Sequence, residues 1–187
     1  MAGVLSRESY FETGFEVLAD LGYGGLKLAG VCSRLGVTTG SFYHYFPSWS
    51  AYTRALVEHW ATARTASIDA ACAQRDPRRR IDTFIQTVLE LPHAAGAAIR
   101  VWSSIDPEVR NVQSAIDQRR FDVLFDAAFE ILEQKHQAQV FASWTIYLLI
   151  GYEQSTLRRN PVDLAWIAAQ LLETLDSGRF GSVPDAG

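Results

Sequence analysis

The residues best suited to binding chemistry lie between positions 38 and 44, where hydroxyl, phenol and imidazole groups are close together. The stretch opens with two threonines, a glycine and a serine, and small residues of this kind let a backbone approach phosphate groups closely. The positive end of a helix dipole also favours anions. Each of these polar groups can hydrogen-bond to a phosphate or a base edge, which makes five residues candidates for DNA contacts: Thr38, Thr39, Ser41, Tyr43 and His44.

A surface element must position these groups, and the flanking sequence predicts one. Apolar spacing predicts a short helix over about 27–35, Gly36 predicts a tight turn, and Thr38 is the expected cap of a second short helix over about 39–45. Such a pair is typical of a helix-turn-helix, whose second helix enters a major groove about 12 Å wide. The alternative is a helical hairpin that only buries its aromatic residues.

The charge of this segment favours nucleic acid only modestly. Residues 27–54 contain Lys27, Arg34 and Arg54 and no acidic residue, while the whole chain has a net charge of −4. A DNA-binding surface must therefore be a local patch. Three positive charges predict a shallow dependence of binding on salt, which dimerisation would double.

The rest of the chain also has helical apolar spacing, and no stretch alternates as a strand would. We predict an all-α fold of about nine helices, in which Asp76-Pro77, Asp106-Pro107 and Asn160-Pro161 start three of them. The expected helix ranges are about 6–22, 27–35, 39–45, 49–72, 77–92, 94–103, 107–134, 137–158 and 161–177. The predicted domains are 1–48 for DNA binding and 49–178 for ligand binding and dimerisation, with a loose tail over 179–187.

The N-terminal block resembles the TetR family of bacterial transcriptional regulators. The resemblance rests on Ser6-Arg7-Glu8, on FEVLADLG from Phe15 to Gly22, and above all on GVTTGSFYHYFPS from Gly36 to Ser48. It covers about residues 6–56. By position it implies that the five polar residues named above contact DNA, and that Phe42 and Phe46 pack the recognition helix onto the first and fourth helices.

Two positions depart from the pattern of that family. Trp49 replaces the lysine that usually binds a phosphate at the start of the fourth helix, and Lys27 replaces the serine or threonine that usually caps the second. The indole N–H of Trp49 can still donate one hydrogen bond. We expect Lys27 to supply part of the missing charge, and both residues are included in the predicted DNA site.

The C-terminal half is rich in aromatic residues, which predicts a packed core and, by the resemblance, a cavity for a small effector. Arg100 lies among apolar residues, so if buried it needs a carboxylate from the protein or from the ligand. An apolar or aromatic effector fits this composition best. The predicted ligand-binding residues are Phe84, Val88, His93, Arg100, Trp102, Gln118, Phe121, Phe125, Trp144 and Tyr147.

The last two predicted helices are the expected dimer surface. Residues 140–152 are apolar nearly all round, and the final helix carries a seam of Leu164, Ile167, Leu171, Leu172 and Leu175. The resemblance implies a cytoplasmic homodimer that binds an inverted-repeat operator, most often as a repressor. It implies no enzyme activity, cofactor, metal or membrane segment.

Parts of the sequence are also compatible with two other functions. A helical-bundle metal enzyme would use Glu-x-x-His pairs, and two occur, Glu90/His93 and Glu133/His136. A helical interaction protein that has lost DNA binding is a further alternative, because Thr39 and Trp49 are uncharged. Residues 78–80 (Arg-Arg-Arg) are predicted to be a surface cluster rather than a second nucleic-acid patch.

Overall fold

The computed structural model describes residues 5–184, and within them the chain forms nine α-helices, one 3₁₀ turn and no β-strand. The predicted all-α fold is therefore confirmed. The helices are α1 Arg7–Gly25, α2 Leu28–Leu35, α3 Thr39–Tyr45, α4 Trp49–Cys72, α5 Pro77–Leu89, α6 His93–Ser103, α7 Pro107–Leu132, α8 Lys135–Gln154 and α9 Pro161–Asp176, and the 3₁₀ turn is Arg179–Ser182.

Capping side chains fix the starts of four helices. Ser6, Thr38, Asp76 and Asn160 each accept a hydrogen bond from a backbone N–H of the first turn. The ends differ from the predictions by a few residues. α1 continues to Gly25 across a kink at Gly22, where φ is 67°. α7 ends before Glu133, whose φ is 57°.

The chain packs into two compact units. Unit 1 joins the chain up to Ala63 with Pro92–Gln113, and unit 2 joins Arg64–Leu91 with the chain from Ser114 onwards. In unit 1, α6 packs along α1, and Tyr23 of α1 stacks on Trp102 of α6 with ring centroids 4.7 Å apart. The predicted functional division at residue 48 stays a prediction, because packing does not test it.

An aromatic cluster forms the core of unit 1. Tyr10, Phe42, Phe46 and Tyr52 are each at most 1% exposed. The rings of Phe42 and Phe46 each lie 5.6 Å from that of Tyr10, and the Tyr52 hydroxyl donates a 2.9 Å hydrogen bond to the Tyr10 carbonyl. Burial raises the pKa of the Tyr52 hydroxyl, so it stays protonated as the donor. The cluster joins α3 to α1 and α4.

Unit 2 packs α8 and α9 through apolar side chains. Phe141 and Leu149 of α8 and the leucines at 164, 171 and 175 of α9 are buried. The chain after α9 is more ordered than expected, since Phe180 is 3% exposed and its ring lies 5.5 Å from that of Phe141. Residues 185–187 of the predicted tail lie outside the described residues.

Within residues 5–184, no helix is both long and apolar enough to cross a membrane.

Replacing Gly14 by alanine tests how tightly the side chains of the aromatic cluster are packed. A Cβ at Gly14 would overlap the Tyr52 hydroxyl oxygen and lie 3.1 Å from a Leu56 methyl, whereas a Cβ at Gly24 meets nothing within 4 Å. Both changes to alanine favour the helix similarly. We expect Gly14→Ala to be less stable than Gly24→Ala by about 1–3 kcal/mol in urea unfolding.

A double variant checks the cause of this loss. Replacing Tyr52 by phenylalanine removes the overlapping oxygen, so Gly14→Ala/Tyr52→Phe should be more stable than Gly14→Ala alone. A double variant that is less stable, with the two losses simply adding, would contradict this packing.

Candidate nucleic-acid interface

A tight turn between α2 and α3 sets the geometry of the candidate site. Gly36 ends α2 in the left-handed region with φ 73°, and Val37 N–H donates to the Cys32 carbonyl at 2.9 Å. Glycine adopts this left-handed conformation without a steric clash, so it commonly ends a helix and lets the chain change direction within two residues. Thr38 then caps α3, its hydroxyl oxygen accepting from Ser41 N–H at 3.2 Å. The two helices therefore form the predicted helix-turn-helix.

One face of α3 is buried and the other is exposed. Phe42 is fully buried, while its neighbour Tyr43 is 54% exposed. Thr38, Thr39 and His44 are exposed, and Ser41 is half-buried with its hydroxyl 3.2 Å from that of Thr38. The structure thus brings the five predicted DNA-contacting residues together on one short helix, with their polar groups at the surface of unit 1. Their contact with DNA stays a prediction.

The positive charge near α3 is smaller than the sequence count suggests. Arg34 lies 2.6 Å from the carboxylate of Asp20 on α1, and Arg54 lies 3.4 Å from that of Glu108 on α7, all within unit 1. Lys27 is exposed at the start of α2, where it makes no capping hydrogen bond. Two of the three cations counted from sequence are therefore partly compensated by acidic residues distant in the chain.

The predicted phosphate-binding role of Trp49 competes with a packing role. Its ring lies 4.9 Å from that of Tyr52 and 6.0 Å from that of Phe42, and the residue is half-buried. Trp49 therefore covers the edge of the aromatic cluster at the first residue of α4. Its contact with a phosphate stays a prediction.

Sequence reasoning gave no role to the side chain of Arg7, which supports the end of α3. Its guanidinium donates a 3.0 Å hydrogen bond to the Tyr45 carbonyl and lies 4.5 Å from the centre of the Phe46 ring. The Tyr45 hydroxyl in turn donates to the Leu5 carbonyl at 2.8 Å. A cation beside the last carbonyls of a helix is stabilising. No local pattern could show this, because Arg7 and Tyr45 are 38 residues apart.

The ten predicted ligand-binding residues are divided between the two units. His93, Arg100 and Trp102 lie on α6 in unit 1, where the Trp102 indole donates to Asp106 at 3.2 Å. The other seven lie in unit 2: Phe84, Val88, Gln118, Phe121, Phe125, Trp144 and Tyr147. No observation tests their binding of a ligand, so the assignment stays a prediction.

Within unit 2 these seven residues occupy different environments. Phe84 and Val88 line two small cavities, of about 10 and 30 Å³. Phe121 and Phe125 stack on each other along α7. The remaining three are on the surface: Gln118 donates to Asp122 at 2.8 Å, Trp144 is 41% exposed and Tyr147 is 69% exposed.

Two arginines of the predicted surface cluster at residues 78–80 form ion pairs. Arg78 pairs with Asp82 and Asp176, and Arg80 pairs with Glu130 at 2.8 Å. The Asp176 partner raises the pKa of Arg78, and Arg78 lowers that of Asp176. Across residues 5–184, no group of three or more histidine, cysteine, aspartate or glutamate side chains is arranged to hold a metal ion.

The aromatic cluster, the turn at Gly36 and the exposed polar face of α3 define a helix-turn-helix protein, and the proteins similar to it are regulators of transcription. Residues 11–51 match the family described as "Bacterial regulatory proteins, tetR family". The HTH-type transcriptional regulator BetI of Burkholderia lata is 22% identical over 171 residues, which cover 85% of this chain and 86% of BetI.

Solved structures show the same fold. A transcriptional regulator from Rhodococcus sp. Rha1 superposes with a TM-score of 0.74 at 18% identity, covering 96% of this chain and all of the other. A regulator from Saccharomonospora viridis in complex with choline gives 0.70 at 14% identity, covering 89% and 95%. The matched family and the BetI relative are transcription factors and not enzymes, and they support a helix-turn-helix transcriptional regulator that resembles the TetR family.

The cap of α3 can be tested separately from DNA binding. Thr38→Ala removes the acceptor of the Ser41 N–H, so we expect it to lower the free energy of unfolding by about 0.5–2 kcal/mol. Thr38→Ser is the matched control, because it keeps the capping oxygen and should be close to wild type. Equal urea midpoints for the two variants would contradict a stabilising cap.

Proposed function

We propose that this regulator binds an inverted-repeat DNA operator as a homodimer, represses transcription, and is released by a small apolar or aromatic effector. The observation that carries the proposal is the division of α3 into a buried aromatic face and an exposed polar face. The buried rings of Phe42 and Phe46 hold the helix, while the opposite face carries the hydrogen-bonding groups that can reach bases and phosphates.

The placement of Lys27 supports a phosphate contact. A cation at a helix N-terminus faces the positive end of the helix dipole, which disfavours it by a few tenths of a kcal/mol or more. Lys27 lies at the N-terminus of α2, and its side chain makes no capping hydrogen bond that would offset this unfavourable interaction. A DNA phosphate would attract both the ammonium group and the positive end of the α2 dipole. This supports the predicted use of Lys27 in place of the usual lysine at position 49.

Selection of random duplex DNA by the purified protein, at about 100 mM salt, tests the proposal. We expect enrichment of one inverted repeat whose half-sites lie about 34–36 Å apart, or a multiple of that. Tyr43→Ala should abolish enrichment without lowering the melting temperature, because the side chain is half exposed. Tyr43→Phe is the matched control that keeps the ring and removes only the hydroxyl.

Absence of enrichment from folded, dimeric protein would reject DNA binding. It would favour an interaction protein that kept the fold and lost its DNA site. The pairing of Arg34 with Asp20 and of Arg54 with Glu108 is the observation that favours this second candidate.

The two lysines of the chain allow a matched test of charge. With the selected operator, Lys27→Ala should reduce the slope of log affinity against log salt by about 0.9 per subunit, the value for one phosphate contact. Lys135→Ala removes the same charge from an exposed position on α8 and should leave the slope unchanged. Equal slopes for both variants would remove Lys27 from the site.

Exposed apolar side chains on the last two helices support a dimer. The predicted leucine seam of α9 packs largely within its own chain, since Leu164, Leu171 and Leu175 are buried. The large apolar residues exposed on these two helices are Trp144 and Tyr147 of α8 and Val162, Trp166 and the seam residue Ile167 of α9. Large exposed apolar patches of this kind mark association surfaces.

Trp166 tests the dimer surface. Because it is 64% exposed, Trp166→Glu should leave the fold intact and convert the dimer to monomer in sedimentation velocity. Gln86→Glu adds the same charge at an exposed position of α5, outside the two helices of the proposed surface, and should remain dimeric. Dimers that persist in Trp166→Glu would move the interface elsewhere.

An effector role is supported by the fold and by the small cavities of unit 2. The structural neighbour from Saccharomonospora viridis binds choline, which supports small-molecule recognition by this fold. In this chain Phe84 and Val88 line cavities that must expand to admit a ligand. α4 contributes residues up to 63 to unit 1 and from 64 to unit 2, so a shift of α4 can couple the two. A coupling of about 1–3 kcal/mol would be ordinary.

A further inference from the structure

One cation beside α3 lies outside the segment 27–54, because it belongs to α1. Arg7 is the first residue of α1 and is exposed. Its guanidinium donates to the Tyr45 carbonyl at 3.0 Å, which places it at the last residue of α3. It therefore lies at the opposite end of this helix from Thr38 and Thr39. The tertiary structure thus adds a positive charge to the surface around α3.

The partners of Arg7 differ from those of Arg34 and Arg54. Each of those two arginines forms an ion pair with an acidic residue, whereas within residues 5–184 the hydrogen-bond partner of Arg7 is a neutral carbonyl. The adjacent Glu8 has its carboxylate 3.1 Å from the His59 imidazole instead. A carbonyl satisfies one N–H of a guanidinium without neutralising its charge, so Arg7 can still attract an anion.

The contacts of Arg7 also hold its guanidinium in one place. It lies 4.5 Å from the centre of the Phe46 ring and 5.9 Å from that of Phe11, in addition to its hydrogen bond to Tyr45. A guanidinium has five N–H donors in a planar fork, which matches the oxygens of a phosphate. A side chain that is already held in position loses less conformational freedom when it binds a ligand. The donors that do not contact Tyr45 can therefore bind an anion at a small entropic cost.

The size of α3 brings its C-terminal end close to DNA in the complex proposed above. A helix of seven residues is about 10 Å long and the major groove is about 12 Å wide, so neither end of α3 lies far from the phosphates that border the groove. The C-terminal end of a helix carries a partial negative charge, which repels phosphates. A cation fixed at the Tyr45 carbonyl replaces this repulsion by attraction.

We propose that Arg7 binds a phosphate of the operator while it holds the Tyr45 carbonyl, so that the DNA backbone fixes the C-terminal end of the recognition helix. This rests on the proposed DNA binding and adds a contact residue that lies on α1. Lys27 supplies the corresponding charge at the start of α2. Because one guanidinium contacts both α3 and the phosphate, the backbone contact also determines how α3 is oriented toward the bases.

The salt dependence of operator binding tests this contact on the full-length protein. With the selected operator, Arg7→Gln should reduce the slope of log affinity against log salt by about 0.9 per subunit, the value for one phosphate contact. Arg7→Lys keeps the charge and should keep the slope. If Arg7 only supported α3, both variants would lower stability or affinity and neither would change the slope. That result would overturn the proposal.

Arg110 provides a matched control within unit 1. Like Arg7 it is exposed, and its guanidinium donates to carbonyls at the end of a helix, those of Ser103 and Ser104 at 3.1 and 2.7 Å. Arg110→Gln removes the same charge and the same kind of support from the end of α6, and should leave the slope unchanged. An equal reduction of the slope in Arg110→Gln would mean that total charge, and not a contact at Arg7, sets the slope.

Chemical modification of the wild-type protein keeps the proposal testable if Arg7→Gln does not fold. Phenylglyoxal, which reacts with arginine side chains, is applied with and without the operator, and the modified peptides are identified by mass spectrometry. We expect the operator to slow the modification of Arg7 severalfold and to leave that of Arg110 unchanged. Equal modification of Arg7 in both samples would overturn the proposal.

The two proposals fail in different ways. Selection of no operator by folded, dimeric protein would reject DNA binding itself, and the contact at Arg7 with it. Selection of an operator, with an unchanged slope in Arg7→Gln, would reject only the contact at Arg7.

Discussion

The burial of four rings, from Tyr10, Phe42, Phe46 and Tyr52, determines where the recognition helix lies. α3 has seven residues, and a helix this short is unstable on its own because nucleation costs more than a few backbone hydrogen bonds return. Its order comes from burying Phe42 and Phe46 against α1 and α4. The absence of a side chain at Gly14 lets the Tyr52 hydroxyl reach the Tyr10 carbonyl, so the three helices meet at one point.

The surface of unit 1 around α3 has little positive charge that is not compensated by a nearby carboxylate. Asp20 and Glu108 partly compensate the positive charges of Arg34 and Arg54. The surface around α3 is left mainly with hydrogen-bonding groups and with the charges of Lys27 and Arg7. Affinity for DNA that comes from phosphate neutralisation grows with the number of released counterions. A surface with few cations must rely on base and backbone hydrogen bonds and on two copies acting together. The operator binding proposed above should therefore be less sensitive to salt than that of a strongly basic regulator.

Unit 2 has the opposite character, since it places cations where the sequence predicts an apolar pocket. The sequence indicated Arg100 as the arginine most in need of a carboxylate, but Arg100 is half-buried on α6 of unit 1. Arg64 and Arg120 are more deeply buried, and they come together only because α4 and α7 both contribute to unit 2. Their burial therefore depends on opposite charges and hydrogen bonds supplied within the unit.

The sequence by itself determined the helices and the DNA-binding motif, because both depend on local interactions. Caps such as Ser6, Thr38 and Asn160, the left-handed turn at Gly36 and the periodic burial of Phe42 and Phe46 act within a few residues. Only the tertiary structure decided which charges compensate one another and which become buried. Arg34 with Asp20, Arg7 with the end of α3, and Arg64 with Arg120 are separated by 14, 38 and 56 residues. The spacing of charged residues along the chain does not show which of them will pair. An ion pair requires the two groups to be close in space, and the packing of whole helices determines which groups are close.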